Sequence, residues 1–270
     1  MSIFAMALLI YMCLGAFAGL LAGLFGVGGG IILVPGFYYT LLWLYPEASH
    51  VMQISIATAL ATILVTGSSS VRAHAVRHNI RRDILLKLAP GIVLGSLLAS
   101  IIADLLPSAS LKSFFAFMIM GLAALMALGP DRLKGTAEFP GKIVSALSGA
   151  VIGCLSGLMG IGGATLTVPY MSFFKTDMRQ AVGTASAIGL CIAVPSAIGF
   201  VLTGWSEQTG VPHTLGYIYL PAWFAVVCCS SVTAVYGARL AHHLDSKKLK
   251  KIFAGFMIIL ALSMMGDELF

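Results

Sequence analysis

The chain has 270 residues, of which 59% are hydrophobic and 10% are charged. A soluble domain of average composition carries about 25% charged residues. This chain has too much apolar surface for an aqueous fold and is predicted to be an integral membrane protein. The net charge of +6 does not indicate nucleic-acid binding, because the sixteen Lys and Arg residues form short clusters between apolar runs, as topology signals do.

Eight apolar segments follow one another along the chain and predict an all-α membrane protein. Six of them are about twenty residues long, which is enough to cross a bilayer of ~30 Å as a helix. The first and the fifth are longer, and a glycine cluster followed by proline interrupts each of them. The segments cover residues 3–44, 51–71, 84–106, 111–129, 143–174, 180–204, 215–238 and 249–266.

The two interrupted segments are copies of each other. Residues 15–35 read GAFAGLLAGLFGVGGGIILVP and residues 149–169 read GAVIGCLSGLMGIGGATLTVP. Eleven of these 21 positions are identical at a constant offset of 134. The chain is therefore predicted to consist of two repeats, residues 1–134 and 139–270, which form one membrane domain joined by a linker at about 131–141.

The positions of the basic residues predict that the two repeats have opposite orientations in the membrane. The loop after the second segment is rich in Arg, whereas its counterpart at 205–215 has no Lys or Arg. Residues 239–251 are rich in Lys, whereas the equivalent loop after the third segment holds only Lys112. Because basic loops stay in the cytoplasm, equivalent loops are expected on opposite sides.

Such an inversion requires an odd number of membrane crossings in each repeat. The simplest solution makes each interrupted segment a re-entrant helical hairpin, broken at its glycines and followed by three transmembrane helices. This arrangement places fifteen of the sixteen Lys and Arg residues on the cytoplasmic side, with both chain termini on the outer face. Eight plain spans, with some basic loops outside, remain the alternative.

The glycine clusters at the two breaks are the predicted binding site for a small anionic solute. Irregular backbone at membrane depth survives only when it is buried in protein or lines a cavity, and glycine exposes its N–H groups. The breaks are expected to meet near the midplane, with half-helices that start at Ile31 and Thr165 facing the solute. Tight helix packing is the alternative for these clusters. It is preferred for the earlier glycines, which have small-xxx-small spacing: Gly15, Gly19, Gly23, Gly149, Gly153 and Gly157. The predicted cluster residues are Gly26, Gly28, Gly29, Gly30, Gly160, Gly162, Gly163 and Ala164.

Hydroxyl and amide side chains within the spans are further candidate donors. No span carries a deep Lys, Arg, Asp or Glu, which argues against a cation site. Thr58 and Thr184 are preferred because they recur as a pair, and Gln53 and Gln180 lie near the starts of the same helices. A bond from each hydroxyl to its own helix carbonyl is the alternative. The other hydroxyls predicted to face inward belong to Ser55, Thr62, Thr66, Ser68, Ser69, Ser70, Thr165, Thr167, Ser186 and Ser196.

The sequence predicts neither a cofactor nor a metal nor an enzyme. The five cysteines lie in apolar runs without a histidine at metal-ligand spacing, and the His74–His78 pair lacks a third ligand. A dinucleotide site at the first glycine cluster would need a preceding strand and a downstream acid, which the sequence does not provide. An intramembrane Ser–His enzyme would need a histidine in the middle of a span, and the sequence places none there. An anion channel is the other alternative, and saturable flux with counterflow would exclude it.

The doubled motif G-x-x-x-G-L-x-G-x-G-G-x-x-x-x-V-P, at 19–35 and 153–169, resembles the TauE/SafE family of sulfite exporters, also called the toluenesulfonate uptake permease family. The resemblance covers the whole chain, although Ala57 stands where the family usually has glycine. It implies transport of small sulfur-containing anions, such as sulfite or organosulfonates, across a prokaryotic inner membrane. A permease for a non-sulfur organic anion is the alternative.

Overall fold

A computed structural model of the chain describes residues 3–25, 29–128, 138–241 and 246–266. Gly26, Gly28 and most of the predicted linker at 131–141 lie outside these residues. Within the described ranges the helices are α1 (Ile3–Phe25), α2 (Gly30–Leu44), α3 (Val51–Val76), α4 (Arg82–Leu105), α5 (Ser108–Leu128), α6 (Lys142–Met159), α7 (Ala164–Phe173), α8 (Met178–Thr203), α9 (Leu220–Ala241) and α10 (Ser246–Gly266).

Seven of the described helices are long and apolar enough to cross a membrane. They are α1, α3, α4, α5, α6, α8 and α9. Large apolar side chains such as Leu94, Leu98 and Ile198 lie exposed on their outer faces, where lipid rather than water is the natural solvent. The prediction of a multi-pass, helical membrane protein is confirmed.

The first interrupted segment folds into two helices that lie side by side and run in opposite directions. Gly29, just before α2, lies against Ala18 near the end of α1. Further along, the ring of Phe37 in α2 lies 5.8 Å from the ring of Tyr11 in α1. Later residues of α2 therefore meet earlier residues of α1, as they do in a helical hairpin.

The second interrupted segment has the same shape. The ring of Phe139, just before α6, lies 5.1 Å from the ring of Phe174, just after α7. The end of α7 thus returns to the start of α6. The second arms of the two hairpins begin at Gly30 and Ala164, each one residue before the predicted start.

Small residues of α1 allow it to pack tightly against α9. A Cβ atom built on Gly15 would come within 2.7 Å of Val226 Cα, and one on Gly19 would come within 2.6 Å of Ser230 Cα. From Gly15 to Gly19 the contact moves forward along α9 as well, from Val226 to Ser230, so α1 and α9 run parallel. Packing is therefore the role of these two glycines, as the small-xxx-small spacing predicts.

The pair α6 and α4 repeats this arrangement. Gly149 of α6 abuts the carbonyl oxygen of Leu88, and Gly153 abuts that of Ile92. These contacts also advance in the same direction, so α4 and α6 run parallel. The preferred packing interpretation of Gly149 and Gly153 is confirmed, because a methyl group at either position would collide with the backbone of α4.

The helices α3 and α8 form the centre of the molecule. Residues 51–63 of α3 are all buried. Ser70 Oγ donates a hydrogen bond of 3.0 Å to Ser186 Oγ, and a Cβ atom on Gly67 would lie 3.1 Å from Leu190. Because later residues of α3 meet earlier residues of α8, these two helices are antiparallel.

At one end of the molecule the described acidic side chains outnumber the basic ones, and this end is called here the acidic end. It contains the start of α3, the end of α4 and residues 204–219. The N–H of Ser49 donates to the carbonyl of Thr209 at 3.0 Å, and the Tyr217 hydroxyl donates to Asp104 at 2.6 Å. The described acids at this end are Glu47, Asp104 and Glu207.

The opposite end, called here the basic end, contains the end of α3 and the starts of α4, α6 and α8. The N–H of Arg81 donates to Thr184 at 2.9 Å. Lys87 Nζ lies 5.6 Å from the centre of the Phe139 ring. The basic residues at this end whose side chains are described are Arg72, Arg77, Arg81, Arg82, Lys87, Lys142, Lys175 and Arg179, and they outnumber the acids Asp83, Glu138 and Asp177.

A short β-hairpin at the acidic end was not predicted from the sequence. Its strands are β1 (Thr214–Leu215) and β2 (Ile218–Tyr219), which pair antiparallel around Gly216 at φ 55°. Strands of two residues are too short to produce an alternating pattern, so periodicity does not reveal them. The hairpin leads directly into α9.

Candidate functional site

The two glycine breaks lie against each other. Gly30 abuts the carbonyl oxygen of Gly160, and a Cβ atom on Gly30 would come within 3.0 Å of Ile161 Cα. A Cβ atom on Gly160 would lie 2.8 Å from Val34 of α2 and 3.1 Å from Ile56 Cα of α3. The tips of the two hairpins therefore meet beside the central helix α3, as the sequence predicts.

Two glycines at the breaks adopt backbone conformations that other residues rarely occupy. Gly29 has φ 75° and Gly160 has φ 65°, both in the left-handed region. Gly163 has an ordinary φ of −54°, but a Cβ atom there would lie 2.8 Å from the backbone nitrogen of Gly189 in α8. Close packing against α8 therefore accounts for the glycine at position 163, independently of any ligand.

The second break presents backbone donors in a buried place. Gly160, Gly162, Gly163 and Ala164 are all buried. Among the residues that the structure describes, none accepts a hydrogen bond from the N–H groups of Gly162 and Gly163. These groups adjoin the N-terminus of α7, where the helix dipole favours negative charge.

Three hydroxyl groups in the same hairpin tip are buried without a hydrogen-bond partner among the described residues. They belong to Ser156 in the last turn of α6 and to Thr165 and Thr167 in the first turns of α7. Ser156 is 1% exposed and Thr167 is 0% exposed. Helical side chains lean towards the N-terminus, so both threonines lean towards the break. At about 100° per residue they leave α7 on opposite sides.

Sequence reasoning did not single out Ser156, and it placed Thr165 and Thr167 only among the general inward hydroxyls. A difference between the two repeats could have indicated these hydroxyls. At the offset of 134, the first repeat has Ala22, Ile31 and Leu33 at these positions. Only the second repeat has hydroxyls there, and an unpaired buried hydroxyl is destabilising by about 1–3 kcal/mol unless something binds it.

The preferred threonine pair has protein partners in this structure. Thr58 donates to the carbonyl of Ile54 at 2.6 Å and accepts the N–H of Tyr219 at 3.0 Å. Thr184 accepts the N–H of Arg81 at 2.9 Å. For Thr58 to bind a solute, one of these bonds would have to be exchanged. A ligand role for the pair stays a prediction.

The two glutamines differ in their surroundings. Gln53 Nε2 donates to the carbonyls of Ala103 and Leu106 at 3.1 and 2.8 Å, and its Oε1 accepts from Ser108 at 2.6 Å. The side-chain amide of Gln53 thus joins α3 to the α4–α5 turn, and both its nitrogen and its oxygen are hydrogen-bonded to protein groups. Gln180 is half-buried in the first turn of α8. Solute binding by either residue stays a prediction.

Most of the other inward hydroxyls bond to carbonyls of their own helix, which was the alternative to ligand binding. Examples are Thr62, which donates to Thr58 O at 2.9 Å, and Ser55, which donates to Val51 O at 2.7 Å. Ser196 donates instead to the carbonyl of Ser96 in α4 at 3.2 Å. These groups therefore serve helix geometry and packing.

The part of the chain that the structure describes contains no group of three His, Cys, Asp or Glu side chains placed to hold a metal ion. His74 has a buried Nδ1 atom without a partner, while Ser70, one turn earlier, donates its hydrogen bond to Ser186. The described residues contain no Ser–His hydrogen bond of the kind that activates a nucleophile.

Comparison with known proteins now places the chain in a family. The family model described as "Sulfite exporter TauE/SafE" matches residues 11–264. The chain therefore belongs to the TauE/SafE family, and the resemblance drawn from the doubled glycine motif is confirmed. No solved structure matches the chain at a significant level.

Similar proteins come from bacteria and an archaeon. A "Probable membrane transporter protein" of Haemophilus influenzae is 32% identical over 257 residues, which cover 95% of this chain and 97% of that protein. The "Probable membrane transporter protein MJ0441" of Methanocaldococcus jannaschii is 23% identical and covers 97% of each chain. The "Probable membrane transporter protein YunE" of Bacillus subtilis is 28% identical, over 74% of this chain and 80% of that protein. The protein is thus a multi-pass member of a membrane transporter family.

Proposed function

We propose that the protein transports a small sulfur-containing oxyanion, of the sulfite or organosulfonate type, by alternating access. The solute lies between the two hairpin tips, where Gly29 and Gly30 meet Gly160 to Ala164. The observation that carries the proposal is that the second tip holds buried hydroxyls without a described partner, on Ser156 of α6 and on Thr165 and Thr167 at opposite sides of α7, next to the N–H groups of Gly162 and Gly163.

The chemistry of these groups favours an anion. Hydroxyl and amide hydrogens donate to oxygen atoms, and helix N-termini favour negative charge. No Asp or Glu lies near the tips among the described residues, since Glu47, Asp104 and Glu207 are at the acidic end and Asp83, Glu138 and Asp177 are at the basic end. A buried cation would need such carboxylates. The family description, "Sulfite exporter", supports sulfur oxyanions in particular.

The transport mechanism that we propose uses two inverted repeats, residues 1–134 and 139–270. Three features support it: each repeat begins with a helical hairpin, α1 packs on α9 as α6 packs on α4, and α3 lies antiparallel to its equivalent α8. Thr58 and Thr184 also make equivalent bonds at opposite ends of the molecule. Rocking of one repeat against the other would expose the tips to each side in turn.

We further propose an orientation in a prokaryotic inner membrane. The concentration of Lys and Arg at the basic end supports a cytoplasmic position for that end. Glu47 and Glu207 would then lie outside, together with both chain termini. In this orientation each hairpin is re-entrant, the first from outside and the second from the cytoplasm.

A binding screen on the purified protein tests the proposed function. Sulfite, thiosulfate, methanesulfonate and acetate are compared by the thermal stabilisation they confer, since a ligand of the native state raises the melting temperature. We expect stabilisation by at least one sulfur oxyanion and little or none by acetate. Stabilisation by acetate alone would favour the non-sulfur organic anion permease.

Variants connect the ligand to the tip. Thr167→Val keeps the shape and removes the hydroxyl, so it should weaken binding, whereas Thr167→Ser should preserve it. Thr40→Val is the matched control, because Thr40 is also buried but donates to Gly36 of its own helix at 2.7 Å. Unchanged binding in Ser156→Ala, Thr165→Val and Thr167→Val would place the solute elsewhere.

Saturable flux with counterflow in proteoliposomes would exclude a channel.

A further inference from the structure

We propose that the solute reaches the hairpin tips from the basic end of the molecule, along a water-filled path beside the second half of α3, while residues 204–219 seal the acidic end. This inference rests on the proposed function and specifies the path of its solute. Its basis is a difference in burial between α3 and α8, the equivalent helix of the other repeat. Residues 64–76, the part of α3 nearest the basic end, are called here the open half of α3.

The open half of α3 is only loosely surrounded by protein. Residues 51–63 of α3 are all buried, whereas none of residues 64–76 is. The consecutive residues 64–68 are all partly exposed. Because successive residues of a helix point about 100° apart, these residues cover its whole circumference. The neighbouring helices therefore leave space around this half.

The second half of α8, near the acidic end, shows the pattern of a helix that touches lipid on one side. Its exposed residues are Val194, Ile198 and Leu202, which recur every four positions and so lie on one face. Most of the residues between them are buried. The open half of α3 has no such single apolar stripe, so contact with lipid does not explain its exposure.

The chemistry of the open half favours water. Thr66 and Ser68 are partly exposed and Ser69 is exposed. Thr66 lies eleven residues before Arg77, which caps the helix, and this separation corresponds to about 17 Å of helix, or half of a bilayer of ~30 Å. Each of these hydroxyls can accept hydrogen bonds from water. Space beside polar groups inside a membrane protein is occupied by water rather than lipid.

The charges at the mouth of this space suit an anion. Arg72 and Arg77, at the end of the open half, are both exposed. Residues 64–76 contain no Asp or Glu. Positive side chains beside an opening raise the local concentration of anions. An anionic solute would therefore collect at this entrance.

The central helix α8 places the open half of α3 beside the second hairpin tip. Ser70 of the open half donates a hydrogen bond of 3.0 Å to Ser186. A Cβ atom on Gly163, at the second tip, would lie 2.8 Å from the backbone nitrogen of Gly189. Both contacts fall within one turn of α8, residues 186–189. The open half thus reaches the height of the second tip.

Residues 204–219 cover the acidic end, and the basic end has no equivalent cover. They form a connection of sixteen residues between α8 and α9, whereas residues 77–81, which connect α3 to α4, are only five. Tyr217 and Tyr219 of the long connection are 0% and 1% exposed, and the N–H of Tyr219 donates to Thr58 at 3.0 Å. The tips are therefore shielded on the acidic side in this conformation.

Reaction of single cysteines with a water-soluble, cationic methanethiosulfonate reagent tests this inference. A thiol reacts as its thiolate, which forms in water and not in lipid. Thr66→Cys is made in a variant that lacks the five native cysteines and is labelled in unsealed membranes, where the reagent reaches both sides. Leu94→Cys is the control of matched depth, because Leu94 lies twelve residues into α4 from Arg82 and is 63% exposed on the outer face. We expect Thr66→Cys to react faster by a factor of about ten or more.

Ala193→Cys reports on the acidic end. Ala193 lies eleven residues before Gly204, as Thr66 lies before Arg77, but it is 0% exposed. We expect Ala193→Cys to react as slowly as Leu94→Cys. Ser69→Cys replaces Thr66→Cys if the latter does not fold, since Ser69 is also in the open half. Labelled Thr66→Cys should carry much less sulfite and methanesulfonate into proteoliposomes than the unlabelled variant, because the reagent occupies the path.

The outcomes separate the inference from the proposed function. Cysteines in the open half that react no faster than Leu94→Cys, or reaction of Ala193→Cys in their place, would overturn the inference and leave the proposed function intact, because labelling needs no solute. Full labelling of Thr66→Cys with unchanged flux would also overturn it, since the solute would then take another path. Failure of sulfite, thiosulfate and methanesulfonate to bind would overturn the proposed function, whatever the labelling pattern.

Discussion

The backbone N–H of Tyr219 donates a hydrogen bond of 3.0 Å to the side-chain oxygen of Thr58. Tyr219 immediately precedes α9, and Thr58 lies in α3, 161 residues earlier in the chain. Thr184 of α8 makes an equivalent bond of 2.9 Å to the N–H of Arg81, immediately before α4. Each threonine thus holds the start of a helix from the other half of the chain.

The first prediction concerns this pair of bonds. Thr58→Val removes the acceptor of a buried N–H, so the free energy of unfolding should fall by about 1–3 kcal/mol. Thr184→Val should have a smaller effect, because Arg81 is only partly buried and water can reach its backbone. Thermal unfolding in detergent measures both changes.

Thr62→Val is the control for this prediction. Thr62 is buried in α3, and its hydroxyl donates only to Thr58 O of its own helix. Thr62→Val should therefore lower the melting temperature less than Thr58→Val does. If Thr58→Val instead melts like the parent and loses methanesulfonate binding, Thr58 is a solute ligand, as its recurrence in the sequence first predicted.

The second prediction concerns helix packing between α4 and α6. A methyl group in Gly153→Ala would come within 2.9 Å of Ile92 Cα, so the helices must separate, and stability should fall by about 1–3 kcal/mol. Gly121→Ala is the control, since nothing lies within 4 Å of the added carbon. Melting temperature and yield of purified protein are measured for both. Equal stability of the two variants would contradict the packing role of Gly153.

Local signals in the sequence were sufficient to predict the two helical hairpins. Gly30 and Gly160 stand out because glycine clusters interrupt long apolar runs and so end helices, whereas the prolines that follow, Pro35 and Pro169, lie inside α2 and α7. The repeat at offset 134 then indicates that both breaks have the same shape. The alternation of basic and non-basic loops likewise indicates which ends of the helices lie together.

Partners distant in sequence were not predictable in the same way. The bond between Gln53 and the carbonyl of Leu106 depends on how α3 meets the α4–α5 turn. The bond between Thr58 and Tyr219 depends on an unpredicted β-hairpin. A hydroxyl in an apolar helix has the same local pattern whether it binds its own carbonyl, a distant N–H or a solute. Tertiary packing alone decides among these outcomes.

The third prediction concerns membrane orientation. In a variant that lacks the five native cysteines, a cysteine placed at Glu207 should react with a membrane-impermeant maleimide added to intact cells. A cysteine at Arg179 should react only after permeabilisation. Both positions are exposed, so accessibility differs only through the membrane. The opposite labelling pattern would contradict the proposed orientation, and labelling of both from outside would contradict the assignment of the two ends.

The last prediction concerns the hydrogen bond between Tyr217 and Asp104 at the acidic end. Tyr217 is fully buried and its hydroxyl donates to the carboxylate across 2.6 Å. Tyr217→Phe removes this donor, and the free energy of unfolding should fall by about 1.5–3 kcal/mol, as for other hydrogen bonds to charged groups. Tyr236→Phe is the control, because Tyr236 is 58% exposed on α9.

The effect of this bond should also depend on pH in a defined direction. Burial, and then the hydrogen bond to Asp104, raises the pKa of Tyr217 above its ordinary value. Its stabilising contribution is therefore complete below the pKa of an unfolded tyrosine, about 10, and is lost as the pH rises towards the folded value. The stability difference between the parent and Tyr217→Phe should stay constant from about pH 8 to 9 and shrink above about pH 10. A difference that instead grows at alkaline pH would show that the phenol ionises more readily in the folded protein, contrary to the buried hydrogen bond.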